Sequence, residues 1–278
     1  MPCRLVRAVL RVGDTGLMAM FSWWRRAKGP LLHIAGDEGE GPVVVLIHGI
    51  ASSSVTFEKL VPMLVDRHRV ISIDLLGFGE SPSPADATYT LEEHVAALTR
   101  TIDSLRLREP FVLVGHSMGS LIASRYAATN RRRLTRLVLV SPPIYVSPNA
   151  IGDRRDRAAM GIYLKAYEYL RSNKAFTIRN AAMLAKLSPI RNVLEVSERN
   201  WTAFVLSLEN LIESQTTISD LAAVRVPVEV VYGTLDPFLT PAGLRIVEQL
   251  RGITVHRVEA NDHIIRTRLA RVVVKAIG

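Results

Sequence analysis

A serine hydroxyl becomes a nucleophile only where a base can take its proton and a third group holds that base in place. This chain has a residue for each role. Ser117 stands in Gly115-His116-Ser117-Met118-Gly119, a Gly-x-Ser-x-Gly pentapeptide that directly follows the apolar run Phe111-Val112-Leu113-Val114. Asp236 lies in Tyr232-Gly233-Thr234-Leu235-Asp236-Pro237 and His263 in Asn261-Asp262-His263. Such a set could attack a carbonyl, with His263 as base and Asp236 as its orienting acid. The oxyanion that develops needs two preorganised N–H donors. The backbone of Met118 could supply one. The loop His48-Gly49-Ile50-Ala51-Ser52-Ser53-Ser54 could supply the other, through Ile50, with Gly49 letting the backbone come close.

This chemistry needs elements that carry the residues to one place. Phe111–Gly115 reads as a buried strand, and the amphipathic stretch Leu121–Ala127 after Ser117 as a helix. The serine would then sit at the apex of a sharp strand-to-helix turn, at the positive end of a helix, between two glycines that avoid collision. Further strands are expected at Leu31–Ala35, Val43–His48, Val70–Asp74, Leu137–Val140, Val228–Gly233 and Ile253–Val258. Helices are expected at Thr56–Asp66, Leu91–Leu105 with Thr90 as its cap, Pro241–Leu250 and Ile264–Ala276. Alternation of this kind predicts a mainly parallel sheet with helices on both faces. Asp236 would follow one late strand and His263 the last, at the carboxyl ends where open parallel sheets build sites. Asp262 is poorly placed to orient the ring of its own neighbour. The other histidines compete less well: His33 falls in an early strand, His256 in the last one, and His68 and His94 are expected on the surface.

Between Ser141 and Leu221 the strand signal vanishes. Tyr163–Arg171, Ala181–Lys186 and Asn192–Glu213 read as helices, which makes residues 142–221 an inserted all-helical cap on a core formed by residues 30–141 and 222–278. Its apolar residues include Met160, Tyr163, Leu164, Met183, Leu184, Trp201, Phe204 and Leu208. Most of these serve packing. His116, Phe238, Trp201 and Phe204 are the candidates for lining a substrate pocket.

The 278 residues are 48% hydrophobic and 22% charged, which suits a globular protein with a large core. No apolar stretch approaches the ~20 residues that span a bilayer. The single Cys3 cannot form an intramolecular disulfide and fits a reducing compartment, here expected to be the cytoplasm. Net charge is +9, with Arg4, Arg7, Arg11, Arg25, Arg26 and Lys28 against only Asp14 in the first 30 residues, and Arg131-Arg132-Arg133 after the nucleophile helix. Aromatics are only 6% and no nucleic-acid motif accompanies the charge, so a solvated surface is favoured over nucleic-acid binding. Residues 1–29 read as an extension: Arg4, Arg7 and Arg11 share one helical face, with Leu5, Val6, Val9 and Leu10 opposite, and Leu17–Trp24 forms a second apolar piece. Docking on the body of the protein is the favoured role, and peripheral contact with a membrane surface the alternative.

The set His48-Gly49, Asp74-Leu75-Leu76-Gly77-Phe78-Gly79-Glu80-Ser81, Gly115–Gly119, Gly233-Thr234-Leu235-Asp236-Pro237 and Asp262-His263 resembles the α/β-hydrolase superfamily over about residues 30–278. The resemblance implies the α/β-hydrolase fold with its helical cap, a serine hydrolase triad, and no metal or organic cofactor. Haloalkane dehalogenases and epoxide hydrolases of that superfamily use an aspartate where this chain has Ser117. Carbon–carbon bond hydrolases often carry tryptophan after the catalytic histidine, where this chain has Ile264, and the His-Gly-Gly-Gly of the hormone-sensitive-lipase type is absent. Hydrolysis of a carboxylic ester of a hydrophobic small molecule is the leading expectation. Thioesterase, lipase, lactonase, acyltransferase, perhydrolase or carbon–carbon hydrolase activity, or a slow receptor of the same fold, are the alternatives. Oligomeric state is open.

Overall fold

The computed structural model describes residues 29–145, 153–187, 195–214 and 216–278. Cys3, the amphipathic segment Arg4–Val12 and the apolar piece Leu17–Trp24 lie outside the described residues. Seven strands form one sheet: β1 (Ile34–Glu38), β2 (Val43–Ile47), β3 (Arg69–Ile73), β4 (Phe111–His116), β5 (Leu134–Val140), β6 (Val228–Gly233) and β7 (Ile253–Val258). Their order across the sheet is β1-β3-β2-β4-β5-β6-β7. Only β1 runs antiparallel to its neighbour, and every other pairing is parallel.

Parallel strands are covered on both faces, which is why β2 and β4 read as unbroken apolar runs. Side chains nonetheless alternate along each strand. Val45 and Ile47 join one core with Leu113, Leu98, Ile102 and Leu121. Val44 and Leu46 join a second core with Val112, Val114, Phe57, Leu60, Leu269 and Val273. The first core is roofed by α1 (Leu91–Ser104) and α2 (Met118–Thr129), and the second by α8 (Thr267–Ile277), with α7 (Pro241–Glu248) crossing between β6 and β7. Burying each Val, Leu or Ile side chain contributes about 1.5–3 kcal/mol.

Between β5 and β6 the described residues are helical or irregular: α3 (Arg154–Ser172), α4 (Lys174–Leu187), α5 (Trp201–Ser207), which continues as a π-helical turn over Leu208–Ile212, and α6 (Thr217–Ala223). Arg125 of α2 clamps α6, with Nε 2.7 Å from Asp220 Oδ1. No helix among the described residues is long and apolar enough to cross a membrane.

Four sequence expectations need correction. The stretch Thr56–Asp66 is two short 3-10 turns, Ser54–Phe57 and Val61–Met63, rather than one helix. Pro62 has no N–H with which to continue a helix from the first turn. The last long helix of the insertion starts at Trp201, not Asn192. Asn192 itself lies outside the described residues, and 195–200 is non-helical because the Asn200 side chain binds the backbone of Ser197 and Glu195. The first strand is Ile34–Glu38 rather than Leu31–Ala35. Leu32 donates instead to Thr101 Oγ1 on α1, at 2.8 Å, and His33 precedes the strand. An edge strand tolerates the charges of Asp37 and Glu38, and Asp37 takes a two-pronged bond from Arg69. Finally, His94 is fully buried rather than on the surface. It shares the inner face of α1 with Leu91, Leu98 and Thr101, and its Nε2 lies 3.3 Å from Ser207 Oγ. Burial pushes its pKa down to about 3, helped by the nearby His48.

Candidate active site

Ser117 follows the last residue of β4 and has φ 52° and ψ −125°, a strained conformation for a residue with a side chain. Its N–H donates to the Val140 carbonyl at 2.9 Å, so the ladder to β5 runs one residue past β4 before the chain turns into α2. The flanking glycines are required by contact. A Cβ on Gly115 would meet the Gly119 carbonyl oxygen at 2.5 Å, and one on Gly119 would meet the His48 carbonyl oxygen at 2.4 Å. The helix therefore begins directly against the end of β2.

The same close packing brings the loop after β2 over the serine. A Cβ on Gly49 would stand 2.7 Å from Ser117 Cβ. Two residues that catalytic reasoning passed over hold this loop. His48 is wholly buried, donates from Nδ1 to the Gly49 carbonyl at 2.7 Å and accepts the Leu75 N–H at Nε2 at 2.9 Å. That pattern fixes it as the neutral Nδ1–H form. Burial lowers its pKa, against the opposing pull of Asp74. Asp74, at the end of β3, accepts from the Ser54 N–H (2.8 Å), the Ser54 hydroxyl (2.7 Å) and the Glu80 N–H (3.0 Å), with His33 Nδ1 at 3.1 Å. Burial works to raise its pKa, and these donors and His48 outweigh it, so the carboxyl stays below the usual range. The signal for Asp74 was present as an aspartate ending a strand before Gly-Phe-Gly-Glu-Ser, and its meaning lies in contacts that only the fold creates.

Asp236 and His263 come together from the loops after β6 and β7. His263 Nδ1 is 2.8 Å from Asp236 Oδ2, while Asp236 Oδ1 accepts the Phe238 N–H at 3.0 Å. With both carboxylate oxygens engaged as acceptors, the proton of the pair sits on His263 Nδ1, and Nε2 is left able to accept one. Burial works to raise the Asp236 pKa, and the hydrogen bonds from His263 and the Phe238 N–H more than offset it. The loops brace each other, since Leu235 N–H donates to the Asn261 carbonyl at 2.9 Å, and a Cβ on Gly233 would meet that oxygen at 2.1 Å. Asp262 turns away to pair with Arg266. Tyr163 of α3 donates its hydroxyl to the Pro237 carbonyl, which ties the insertion to the acid loop.

Of the four pocket candidates, the structure sets two against His263. The Phe238 ring meets the His263 ring edge-on at 4.7 Å, and the His116 ring lies 4.8 Å away. Trp201 and Phe204 pack on each other at 5.8 Å at the start of α5, with Lys174 Nζ 5.7 Å over the Trp201 ring. The N–H groups of Ile50 and Met118 have no hydrogen-bond acceptor among the described residues. Among the described residues, no three His, Cys, Asp or Glu side chains are grouped so as to hold a metal ion. These are the parts that nucleophilic acyl transfer would need: a strained serine at a strand-to-helix turn, a histidine with a fixed tautomer, and two backbone N–H groups without acceptors among the described residues.

Comparison with known proteins agrees with this fold. Residues 42–265 match the family model described as alpha/beta hydrolase fold. The chain is 35% identical over 150 residues, half its length, to the Arabidopsis thaliana protein named "Probable lysophospholipase BODYGUARD 4". It is 37% identical over 113 residues, 39% of its length, to the pimeloyl-[acyl-carrier protein] methyl ester esterase of Aeromonas hydrophila. The chain spans only 36% and 41% of the lengths of these relatives. An esterase from Exiguobacterium antarcticum superposes with a TM-score of 0.72 at 18% identity, covering 90% of this chain and 99% of that one, a likeness of fold. The chain belongs to the alpha/beta hydrolase fold family.

Proposed function

We propose that this protein is a serine hydrolase that cleaves the carboxylic ester, or a related acyl bond, of a hydrophobic small molecule. The observation that carries the reading is the 2.8 Å Asp236–His263 pair, brought by two adjacent strands to the end of the sheet that holds the strained Ser117. His263 Nε2 takes the Ser117 proton as Oγ attacks the carbonyl carbon. The electron pair moves to the carbonyl oxygen, which the N–H groups of Ile50 and Met118 receive. The pair then returns, the bond to the alcohol breaks, and His263 protonates the departing oxygen. Water enters, gives its proton to His263 and attacks the acyl-enzyme, and Ser117 is released with its proton restored. Asp236 stays ionised throughout and keeps Nδ1 protonated. Residues 142–221 act as a cap, with Trp201 and Phe204 on its substrate side, and the ester names borne by relatives favour an oxygen leaving group.

The test is a series of p-nitrophenyl esters from acetate to palmitate, with wild type and Ser117→Ala. The variant should lose about 10⁴-fold or more in kcat, and wild type alone should label with a fluorophosphonate. Turnover that survives Ser117→Ala would sink the reading. The preferred chain length would size the space beneath the cap.

A further inference from the structure

We infer that His116 is a positioning residue that ties the loop of the base His263 to the nucleophile turn. This rests on the proposed roles of Ser117 and His263. His116 Nε2 lies 2.9 Å from the carbonyl oxygen of His263, 147 residues along the chain. A carbonyl can only accept, so Nε2 carries the proton and donates it, and Nδ1 is left bare. Nδ1 is buried and has no hydrogen-bond partner among the described residues.

A plain packing role accounts poorly for these facts. The ring is 6% exposed, and an apolar side chain of equal size would fill the space without leaving a buried nitrogen unsatisfied. The imidazole is explained if the donated bond is what matters. Around the base, the loop holds the carbonyls next to that of His263 with groups of its own or of the acid loop. Leu235 N–H serves Asn261, and Asn261 Nδ2 serves Asp262 and Ile264. Among the described residues, the His263 carbonyl is tied by His116 alone, and that bond is the one reaching the strand that carries Ser117. His263 is thus held at two points: Asp236 fixes its ring through Nδ1, and His116 fixes its main chain. Together they aim Nε2. His116 is also suited to its neighbour's charge. Burial first, and then the ring of His263, push its pKa down to about 3, so it stays neutral while His263 becomes positive.

The experiment compares His116→Leu, which removes the donor, with His116→Gln, whose side-chain amide can donate at the same reach. Readouts are kcat and KM on a p-nitrophenyl ester, the low-field proton resonance of the His263–Asp236 bond, and Tm. His116→Leu should lower kcat about 10- to 100-fold, leave KM within about twofold, and broaden the resonance. His116→Gln should recover most of kcat and the resonance. If His116→Leu does not fold, His116→Phe carries the same test. Wild-type kcat in the donor-less variant, or equal losses in the Leu and Gln variants that follow Tm, would overturn the inference. Failure of the hydrolase reading is separable. It would appear as wild-type turnover that does not depend on Ser117, while the resonance still reports whether His116 orders the base.

Discussion

Replacing Gly49 by alanine would place a methyl carbon 2.7 Å from Ser117 Cβ and 3.2 Å from its Oγ. Carbon atoms rest at about 3.5–4.0 Å, so something must yield by about 1 Å. The serine cannot easily do so. Its N–H is bonded to Val140 at 2.9 Å, its carbonyl takes the Ser120 N–H at 2.8 Å, and glycine contacts confine the turn on both sides. The displacement therefore falls on the loop from Gly49 to Ser54, which carries the Ile50 N–H. Shifting a positioned group by about 1 Å is worth about 10²-fold in rate, and losing one oxyanion donor outright about 10² to 10³. The expected result is a kcat/KM lowered about 10²-fold, or about 2.7 kcal/mol of transition-state stabilisation. Fluorophosphonate labelling should slow in parallel, because that reaction also places negative charge on an oxygen in the same hole. The assay is steady-state ester hydrolysis on protein shown to be folded by circular dichroism. A folded Gly49→Ala protein with wild-type kcat/KM would refute the placement of Ile50 as donor.

Two further predictions concern stability. His94 takes a proton near 6.5 when unfolded and only near 3 when folded, because of burial first and His48 second. Its contribution is complete above pH 6.5 and is lost as pH falls toward 3, at about 1.4 kcal/mol per pH unit. Urea unfolding between pH 5.5 and 4.5 should show a shallower dependence in His94→Gln by that amount, and an unchanged slope would show that the buried ring does not resist protonation. Gly161 lies within α3, and a Cβ there would meet nothing within 4 Å. Gly161→Ala should add about 0.5–1 kcal/mol of stability with unchanged kcat, and a lowered Tm would contradict the open surroundings.

The parallel core was readable because strands buried on both faces leave continuous apolar runs. Val43–Ile47 and Phe111–Val114 need no partner to be recognised. The candidate site residues were readable because each follows a strand signal: Ser117 after Phe111–Val114, Asp236 after Val228–Gly233 and His263 after Ile253–Val258. What escaped depended on side chains engaging the backbone or one another. The non-helical 195–200 owes its shape to Asn200, and the start of β1 to Leu32 bonding α1. His94 could have been placed from its spacing to Leu91 and Leu98, but a polar residue on an inner helix face needs its partner Ser207, 113 residues away, to make sense. His48 and Asp74 escaped for the same reason. Neither touches the chemistry, and their importance is visible only as the bonds that hold the Gly49–Ser54 loop in place.

The positions of backbone strain separate scaffold from site. Among the described residues, non-glycine residues with positive φ are Ala51, Tyr89, Arg106, Ser117, Ser141 and Ala260. Four of these stand just past the carboxyl end of a parallel strand: Ala51 after β2, Ser117 after β4, Ser141 after β5 and Ala260 after β7. Each such residue costs about 1–3 kcal/mol and persists only if its surroundings over-determine it. Each is in fact held from another part of the chain. The Ala51 carbonyl takes the Glu195 N–H of the insertion at 2.7 Å, Ser117 and Ser141 donate to Val140 and Val231 on the next strands, and Ala260 donates to Thr234 Oγ1 at 3.2 Å. Strain spread at random over the loops would have no such address. Its concentration at the carboxyl ends of β2, β4, β5 and β7, where the proposed site lies, indicates that the sheet's rigidity is used to hold these turns. At Ser117 the cost persists because the bond to Val140 and the close contacts of Gly115 and Gly119 leave the turn no other course.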